Sequence, residues 1–435
     1  MQILEKFLFL LNSQERFRAS LLLIMIIMMA LLDMIGVASI LPFVSVLTNP
    51  GLIDTNIVLK KLFKLSAMFG VENNQEFIFS LGLLVFVLLI ISLSFKALTT
   101  YAQVQFVQMR EFSIGKRLIE GYLNQPYSWF LSRNSSDLGK TILSEVQQLI
   151  ANGIQPIMEL IAKGMVAIAI IILLIIVDPK LALVVGLSIT GTYFLIFFYL
   201  RKFVKLMGEK RLLNNEKRFK ALSEAFGASK EVKVSGLEKV YIKTFTRSAQ
   251  IFARTQAYAQ VISQLPRFIL EAVAFGGILL IILYFISQTG NFNSALPIIS
   301  LYVFAGYRLM PALQKIYASI TQINFISMSL DKIYFDLKNL KQLDIVKDEG
   351  VLPFDQKISL NNISYNYPNS SRAALKNINI TIPAKSTVGF IGQTGSGKTT
   401  IVDIILGLLE AQKGTLEVDG KIITTQNSRS WQRSI

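Results

Sequence analysis

Residues 389–409 read GFIGQTGSGKTTIVDIILGLL. The spacing Gly392-x-x-x-x-Gly397-Lys398-Thr399 is that of a phosphate-binding loop when a strand precedes it and a helix follows. Residues 386–391 are apolar enough to be a buried strand, and an apolar helix is expected from about 399 to 409. Gly392, Gln393, Thr394, Gly395, Ser396, Gly397, Lys398, Thr399 and Thr400 are therefore the candidate site. Glycines let backbone N–H groups converge on phosphate oxygens without a Cβ in the way. The helix N-terminus adds partial positive charge. Lys398 is expected to reach the β/γ-phosphates of a nucleotide, and the Thr399 hydroxyl to ligate Mg²⁺.

Upstream, the chain changes character. It has 435 residues, 52% hydrophobic and only 17% charged, with a mean hydropathy of +0.50. Soluble domains carry about 25% charged residues, so this composition points to a membrane protein. There is no cysteine and no histidine. Disulfides, thiolate metal sites and histidine general bases are thereby excluded. A bilayer core of about 30 Å needs about 20 apolar residues in helix. Six runs are candidates, with approximate limits 20–45, 77–105, 149–177, 180–200, 262–287 and 295–322. The first starts too late and is too long for a cleaved signal peptide.

The net charge of +16 is unevenly spread. Residues 201–260 hold fourteen Lys or Arg against five Glu, while the turns at 178–180 and 288–294 are short and nearly neutral. Basic excess marks the cytoplasmic side, which places the segments 106–148 and 201–260 and both termini there. The charge is then read as topology plus attraction to anionic lipid, and not as a nucleic-acid interface. In the first outside loop, Val58, Leu62, Leu65 and Phe69 fall on one helical face and Lys60, Lys61 and Lys64 on the other. This is the pattern of an interfacial helix or of a packed loop helix.

Residues 357–367 alternate as a strand and end ISYNYPN at 363–369. Composition leaves Tyr365 and Tyr367 either as sheet residues or as a stacking surface for a base. Six spans, an aromatic after a strand and GQTGSGKTT together resemble an ATP-binding-cassette (ABC) exporter half-transporter, over the whole chain. The resemblance implies an all-α six-helix transmembrane domain at 1–335, a linker at 336–355 and the N-terminal part of an α/β P-loop nucleotide-binding domain at 356–435. It assigns Tyr367 to stacking on adenine and implies ATP and Mg²⁺ as ligands. It also implies a dimer, most simply a homodimer. Residues 122–146 and 221–245 resemble the family's two cytoplasmic coupling segments. The family's glutamine loop, LSGGQ signature, Asp-Glu strand and switch histidine are not found in these 435 residues. The sequence is accordingly read as an incomplete one of a complete transporter, with no catalytic residue within the chain. On that reading the chain as given is expected not to turn over ATP alone.

Charges within spans are costly and usually functional. Lys96, Arg267, Arg308 and Lys315 stand out. At 1.5 Å per residue, Lys96, Arg267 and Lys315 lie about 28 Å from the outer ends of their helices, and Arg308 about 20 Å. Arg308 and Lys315 are seven residues apart and share a face. Glu271, four residues after Arg267, is placed to neutralise it. Facing a central cavity, these cations would suit a phosphate or pyrophosphate. SFKALTTY (94–101), LPRFILEA (265–272) and YRLMPALQKI (307–316) are most similar to bacterial lipid-linked oligosaccharide flippases. That resemblance implies flipping of a lipid-linked glycan across the bacterial inner membrane. Alternatives are an exporter of drugs, peptides or other lipids and, from another class, a membrane protein that binds ATP without hydrolysing it.

Overall fold

The computed structural model describes residues 2–67, 71, 73–289, 292–340, 350–367, 370 and 372–435. Helices α1 (Gln2–Leu10), α2 (Ser13–Ala38), α3 (Ile40–Thr48), α4 (Leu52–Thr55), α5 (Ile57–Ala67) and α6 (Asn74–Leu123) come first. Then follow α7 (Tyr127–Leu131), α8 (Ser135–Lys140), α9 (Val146–Leu149) and α10 (Gln155–Val177), with π-helical turns at Thr141–Glu145 and Ile150–Ile154. Next come α11 (Pro179–Gly227), α12 (Ser229–Val234), α13 (Glu238–Thr289) and α14 (Phe292–Asn339). The last part holds β1 (Lys357–Tyr365), β2 (Leu375–Pro383), α15 (Lys398–Ile405), β3 (Lys413–Val418), β4 (Lys421–Ile422) and α16 (Ser428–Gln432). The chain forms two compact units, residues 1–116 with 140–335, and residues 117–139 with 336–435.

The first unit is helical. Three of its runs, Ser13–Thr48, Asn74–Leu123 and Ser135–Val177, are long and apolar enough to cross a bilayer among the described residues. Helices α11, α13 and α14 run through the other three expected spans. Several of their side chains, between 181 and 197 and between 269 and 299, lie outside the described residues. The long helices far outrun a membrane: α6 has 50 residues and α13 has 52, about 75 Å at 1.5 Å each. The basic segments expected as loops are thus largely helical extensions of the spans. The break between α2 and α3 at Ser39 has a local cause, since Pro42 has no N–H to give the Ala38 carbonyl.

Polar groups buried in this unit are paired across helices. Glu145, in the first π-helical turn, accepts from Arg211 of α11 at 2.7 Å. It also accepts from Asn215 at 2.7 Å and from Ser329 of α14 at 2.7 Å. All four residues are buried. The lysine-rich loop helix, α5, packs otherwise than its pattern suggested. Leu59, Leu62 and Phe63 face Phe77 and Leu81, whereas Val58 and Leu65 are exposed. Phe63 meets the Phe77 ring edge-on at 5.1 Å. Both sets have helical spacing, and the inward one is chosen by the aromatic ring at the start of α6. Phe69 lies outside the described residues.

In the second unit a four-stranded antiparallel sheet has the order β2-β1-β3-β4. β1 pairs with β2 from Lys357 opposite Pro383 to Tyr365 opposite Leu375, and with β3 from Ile358 opposite Val418 to Ser364 opposite Lys413. Gly414, at φ +89°, starts β3 where a Cβ would collide with the carbonyls of Asn361 and Asn362. The core joins Leu360, Ile363 and Leu416 of the sheet to Ile401 and Ile404 of α15 and to Trp431 of α16. Residues 386–391, expected as a buried strand, carry no ladder, and Ile391 is 99% exposed. A strand is made by its neighbours, and none of the described residues supplies one here.

Candidate nucleotide site and intramembrane charge cluster

The loop before α15 has the shape that its glycines require. Gly395 and Gly397 take φ of +81° and +90°. A Cβ on Gly397 would also strike the Leu375 side chain and the Ala374 carbonyl, so the loop lies tight against the start of β2. Gly397 is the N-cap of α15, which leaves the first N–H groups of that helix without helical partners. Gly392 to Ser396 are exposed. Lys398 curls back over the loop, donating from Nζ to the carbonyls of Gly392 and Gln393 at 2.8 Å each. The donor set therefore fits a string of phosphates: backbone N–H groups, a helix N-terminus and an ammonium. A bound phosphate would draw Lys398 away from those two carbonyls. Thr399 is exposed.

Tyr367 shares a hydrogen bond between its phenol oxygen and Thr400 Oγ1, at 2.9 Å. Its ring meets that of Tyr365 edge-on at 5.2 Å. The aromatic after β1 is thus fixed beside the first turn of α15, while Tyr365 is buried in the core. Asp403 is buried on the inner face of α15, where desolvation pushes its carboxyl above the usual aspartate range. Helix α15 is anchored at its far end by residues for which the motif gave no signal. Trp431 Nε1 donates to the Ile405 carbonyl at 2.6 Å, and Gln432 Nε2 to the Leu406 and Gly407 carbonyls at 3.3 and 3.0 Å. These are the carbonyls that a helix C-terminus leaves open.

The helical unit brings together three of the four cations singled out in the spans. Lys96 and Arg308 meet on Asp33, with Lys96 Nζ 3.3 Å from Oδ2 and Arg308 NH1 3.0 Å from Oδ1. Ser92 Oγ donates to the same Oδ1 at 2.8 Å. Lys315 pairs with Glu159 at 2.8 Å. Lys163, on α10, lies within electrostatic reach of Lys96, Asp33, Glu159 and Lys315. Arg267 is apart: it is 61% exposed and pairs with Glu271 at 2.8 Å, as the four-residue spacing implied. Sequence reading missed Glu159 and Lys163. Both lie inside the run 149–177 and are four residues apart, which was the available signal.

Comparison with known proteins places the chain by family and fold. The family described as "ABC transporter transmembrane region" matches residues 39–311, and that described as "ABC transporter" matches 375–435. An "ATP-dependent lipid A-core flippase" of Wigglesworthia glossinidia brevipalpis is 27% identical over 316 residues, 71% of this chain and 52% of that protein. The protein of the same name from Ralstonia nicotianae is 25% identical over 326 residues, 73% of this chain and 54% of that protein. The "Multidrug resistance-like ATP-binding protein MdlB" of Buchnera aphidicola is 45% identical over 67 residues, 15% of this chain and 12% of that protein. The chain spans about half the length of the flippases it matches. Among solved structures, "Structure of a bacterial Atm1-family ABC exporter with ATP bound" superposes with a TM-score of 0.66 at 13% identity. It covers 97% of this chain and 71% of that one, and at that identity shows the fold alone. A helical transmembrane domain of exporter type precedes part of a nucleotide-binding domain with its phosphate loop formed, and the chain belongs to the ABC transporter family.

Proposed function

We propose that this protein is a half-transporter that uses ATP to flip or export an amphipathic lipid with an anionic head, such as a lipid-linked pyrophosphate glycan, across the bacterial inner membrane. It would act as a dimer, most simply of two identical chains, with both termini in the cytoplasm. The observation that carries the substrate class is the charge cluster of the spans. Lys96, Lys163, Arg308 and Lys315 outnumber Asp33 and Glu159 there. Uncompensated positive charge in an apolar span is costly, so a use for it is expected. A phosphorylated head supplies that use through charge-assisted hydrogen bonds. The names of the flippase relatives support the same class. Arg267, turned to Glu271, is the weakest member of the head-group set.

In the nucleotide unit, backbone N–H groups of 393–399 and Lys398 would hold the β/γ-phosphates, the Thr399 hydroxyl would face Mg²⁺, and Tyr367 would offer its ring to the base. When bound, ATP supplies the phosphoryl-transfer energy and the ligand whose presence favours the closed dimer. Helices α7 and α12 fall within the two segments that resemble coupling elements, and they would pass that closure to the spans.

Arg308→Ala in the full-length transporter tests this reading. Flipping of a labelled lipid-pyrophosphate glycan in proteoliposomes is expected to fall at least about tenfold, as the loss of a charge-assisted hydrogen bond implies. Thermal stability in the same detergent, and ATP hydrolysis without lipid, should change far less. Lys315→Ala should give a smaller defect, because lysine offers a point charge and no bidentate fork. Normal flipping by Arg308→Ala, or a flipping loss fully matched by lost stability, contradicts the anionic head group.

A further inference from the structure

Asp33 is the single acid in the run 21–43, and its carboxylate has no exposed surface. Such a group is tolerated in a span only when it is paired and hydrogen-bonded. Here α2, α6 and α14 meet on it, through Asp33 itself, through Ser92 and Lys96, and through Arg308. From the cations' side the pairing is partial. Arg308 has five N–H donors and commits one to Asp33, and Lys96 commits one of three. Their side chains keep 16% and 30% of their surface open, while Asp33 is sealed behind them.

We propose that Asp33 is the positioning residue of the head-group site, holding Lys96 and Arg308 side by side and tempering their grip on an anionic head so that the cargo can leave. This rests on the substrate class argued above and adds how that site is regulated. Two like charges brought together repel, and the shared acid removes that cost before the cargo arrives. The same acid subtracts from the attraction felt by a phosphate on the open side. That subtraction hastens release, because at a similar association rate a weaker grip means a faster dissociation rate. Ser92 keeps Oδ1 in place when Arg308 turns part of its fork to a phosphate.

A purely structural Asp33, serving only to clamp α2 to α6 and α14, gives the opposite signature, and the two are separable. Equilibrium binding is measured by calorimetry on the full-length transporter in detergent, with farnesyl diphosphate, farnesol and inorganic pyrophosphate as probes. The wild type is expected to prefer farnesyl diphosphate over both of the others. Asp33→Asn is expected to bind farnesyl diphosphate about tenfold more tightly, as removal of one nearby unit charge at an intermediate dielectric implies. Its farnesol affinity should stay unchanged, and its transport should show a lower KM together with a lower kcat. Ser92→Ala leaves every charge in place but loosens the carboxylate, and a smaller gain in the same direction is expected.

Unchanged or weaker binding of farnesyl diphosphate by Asp33→Asn, with the wild-type preference intact, overturns the role of Asp33 and leaves the substrate class standing. Equal wild-type affinity for farnesyl diphosphate and farnesol overturns the substrate class and this proposal with it. Pyrophosphate binding as tightly as farnesyl diphosphate identifies a free phosphate ligand and overturns the lipid source. Should Asp33→Asn fail to fold, Ser92→Ala decides, and weaker or unchanged binding by that variant overturns the proposal.

Discussion

Lys398 ties the loop shut through the carbonyls of Gly392 and Gln393, and in the proposed function a bound nucleotide would draw its ammonium from them to the β/γ-phosphates. Lys398→Ala should therefore weaken ATP binding about 10- to 100-fold, the range for a lost hydrogen bond to a charged group. Transport should stop, and membrane insertion should be normal because the residue belongs to the nucleotide unit. Filter binding of labelled ATP together with the yield from membranes checks both, and undiminished transport would refute the role. Glu145 offers a contrasting case. It is fully buried among Arg211, Asn215 and Ser329. Glu145→Ala leaves an uncompensated guanidinium and should cost about 3 kcal/mol or more. That loss should appear as a lower melting temperature with lipid binding retained. A melting temperature equal to wild type would mean that the network adds nothing to stability.

Among the elements, those set by local chemistry were legible in the sequence, and those set by a distant partner were not. The loop from Gly392 to Thr400 followed from glycine, lysine and threonine spacing, and its left-handed glycines are where a phosphate loop needs them. The long spans followed from apolar runs. Residues 386–391 read as strand but carry no ladder, since no partner strand lies beside them among the described residues. The inner face of α5 was decided by Phe77, from another helix. Arg308 was legible as a costly charge. Only the packing brings Asp33, Lys96 and Arg308 together.

Trp431 was not legible at all, because a tryptophan near a polar segment carries no signal of a helix-capping role. It is fully buried, meets Phe354 edge-on at 5.8 Å and caps α15. Trp431→Ala should destabilise the nucleotide unit by about 3–5 kcal/mol. Trp431→Phe, which keeps the packing and loses the N–H, should cost about 1 kcal/mol. Hydrogen exchange of the α15 amides measures both, and protection in Trp431→Phe equal to that of the wild type would show that the capping bond is irrelevant.

Asp419 ties β3 to the start of β1. Its carboxylate accepts from the N–H groups of Asp355, Lys357 and Gln356, the first of these being the largest influence, and they hold its pKa below the usual aspartate value. A depressed folded pKa adds stability above the unfolded value, about 3.9, and loses it as pH falls through the lower folded value. Protection of the 355–357 amides should then be flat from about pH 8 to pH 5 and decline only below about pH 4. Asp419→Asn, which tolerates the φ of +49°, should weaken that protection throughout the range. A decline centred near neutrality would assign the bonds to another group.

At the scale of the whole molecule, the proposed cycle divides between the two units. The helical unit holds an excess of positive charge in its spans, which an anionic amphiphile would repay, and the second unit holds a loop shaped for a nucleotide's phosphates. Helices α6 and α13, about 75 Å long, extend well past a bilayer core of about 30 Å, so in the proposed function motion at their far ends would reach the spans through continuous backbone. The account stands or falls on whether ATP moves an anionic-headed lipid in preference to a neutral one. The measurement is movement between leaflets in proteoliposomes of the full-length transporter. Two fluorescent polyprenols differing only in a pyrophosphate head are compared, with ATP and with a non-hydrolysable analogue. The account predicts ATP-dependent movement of the pyrophosphate lipid, none with the analogue, and at least about tenfold slower movement of the neutral lipid, as one lost charge-assisted contact implies. Equal movement of the two lipids, or movement that does not need ATP, would contradict it.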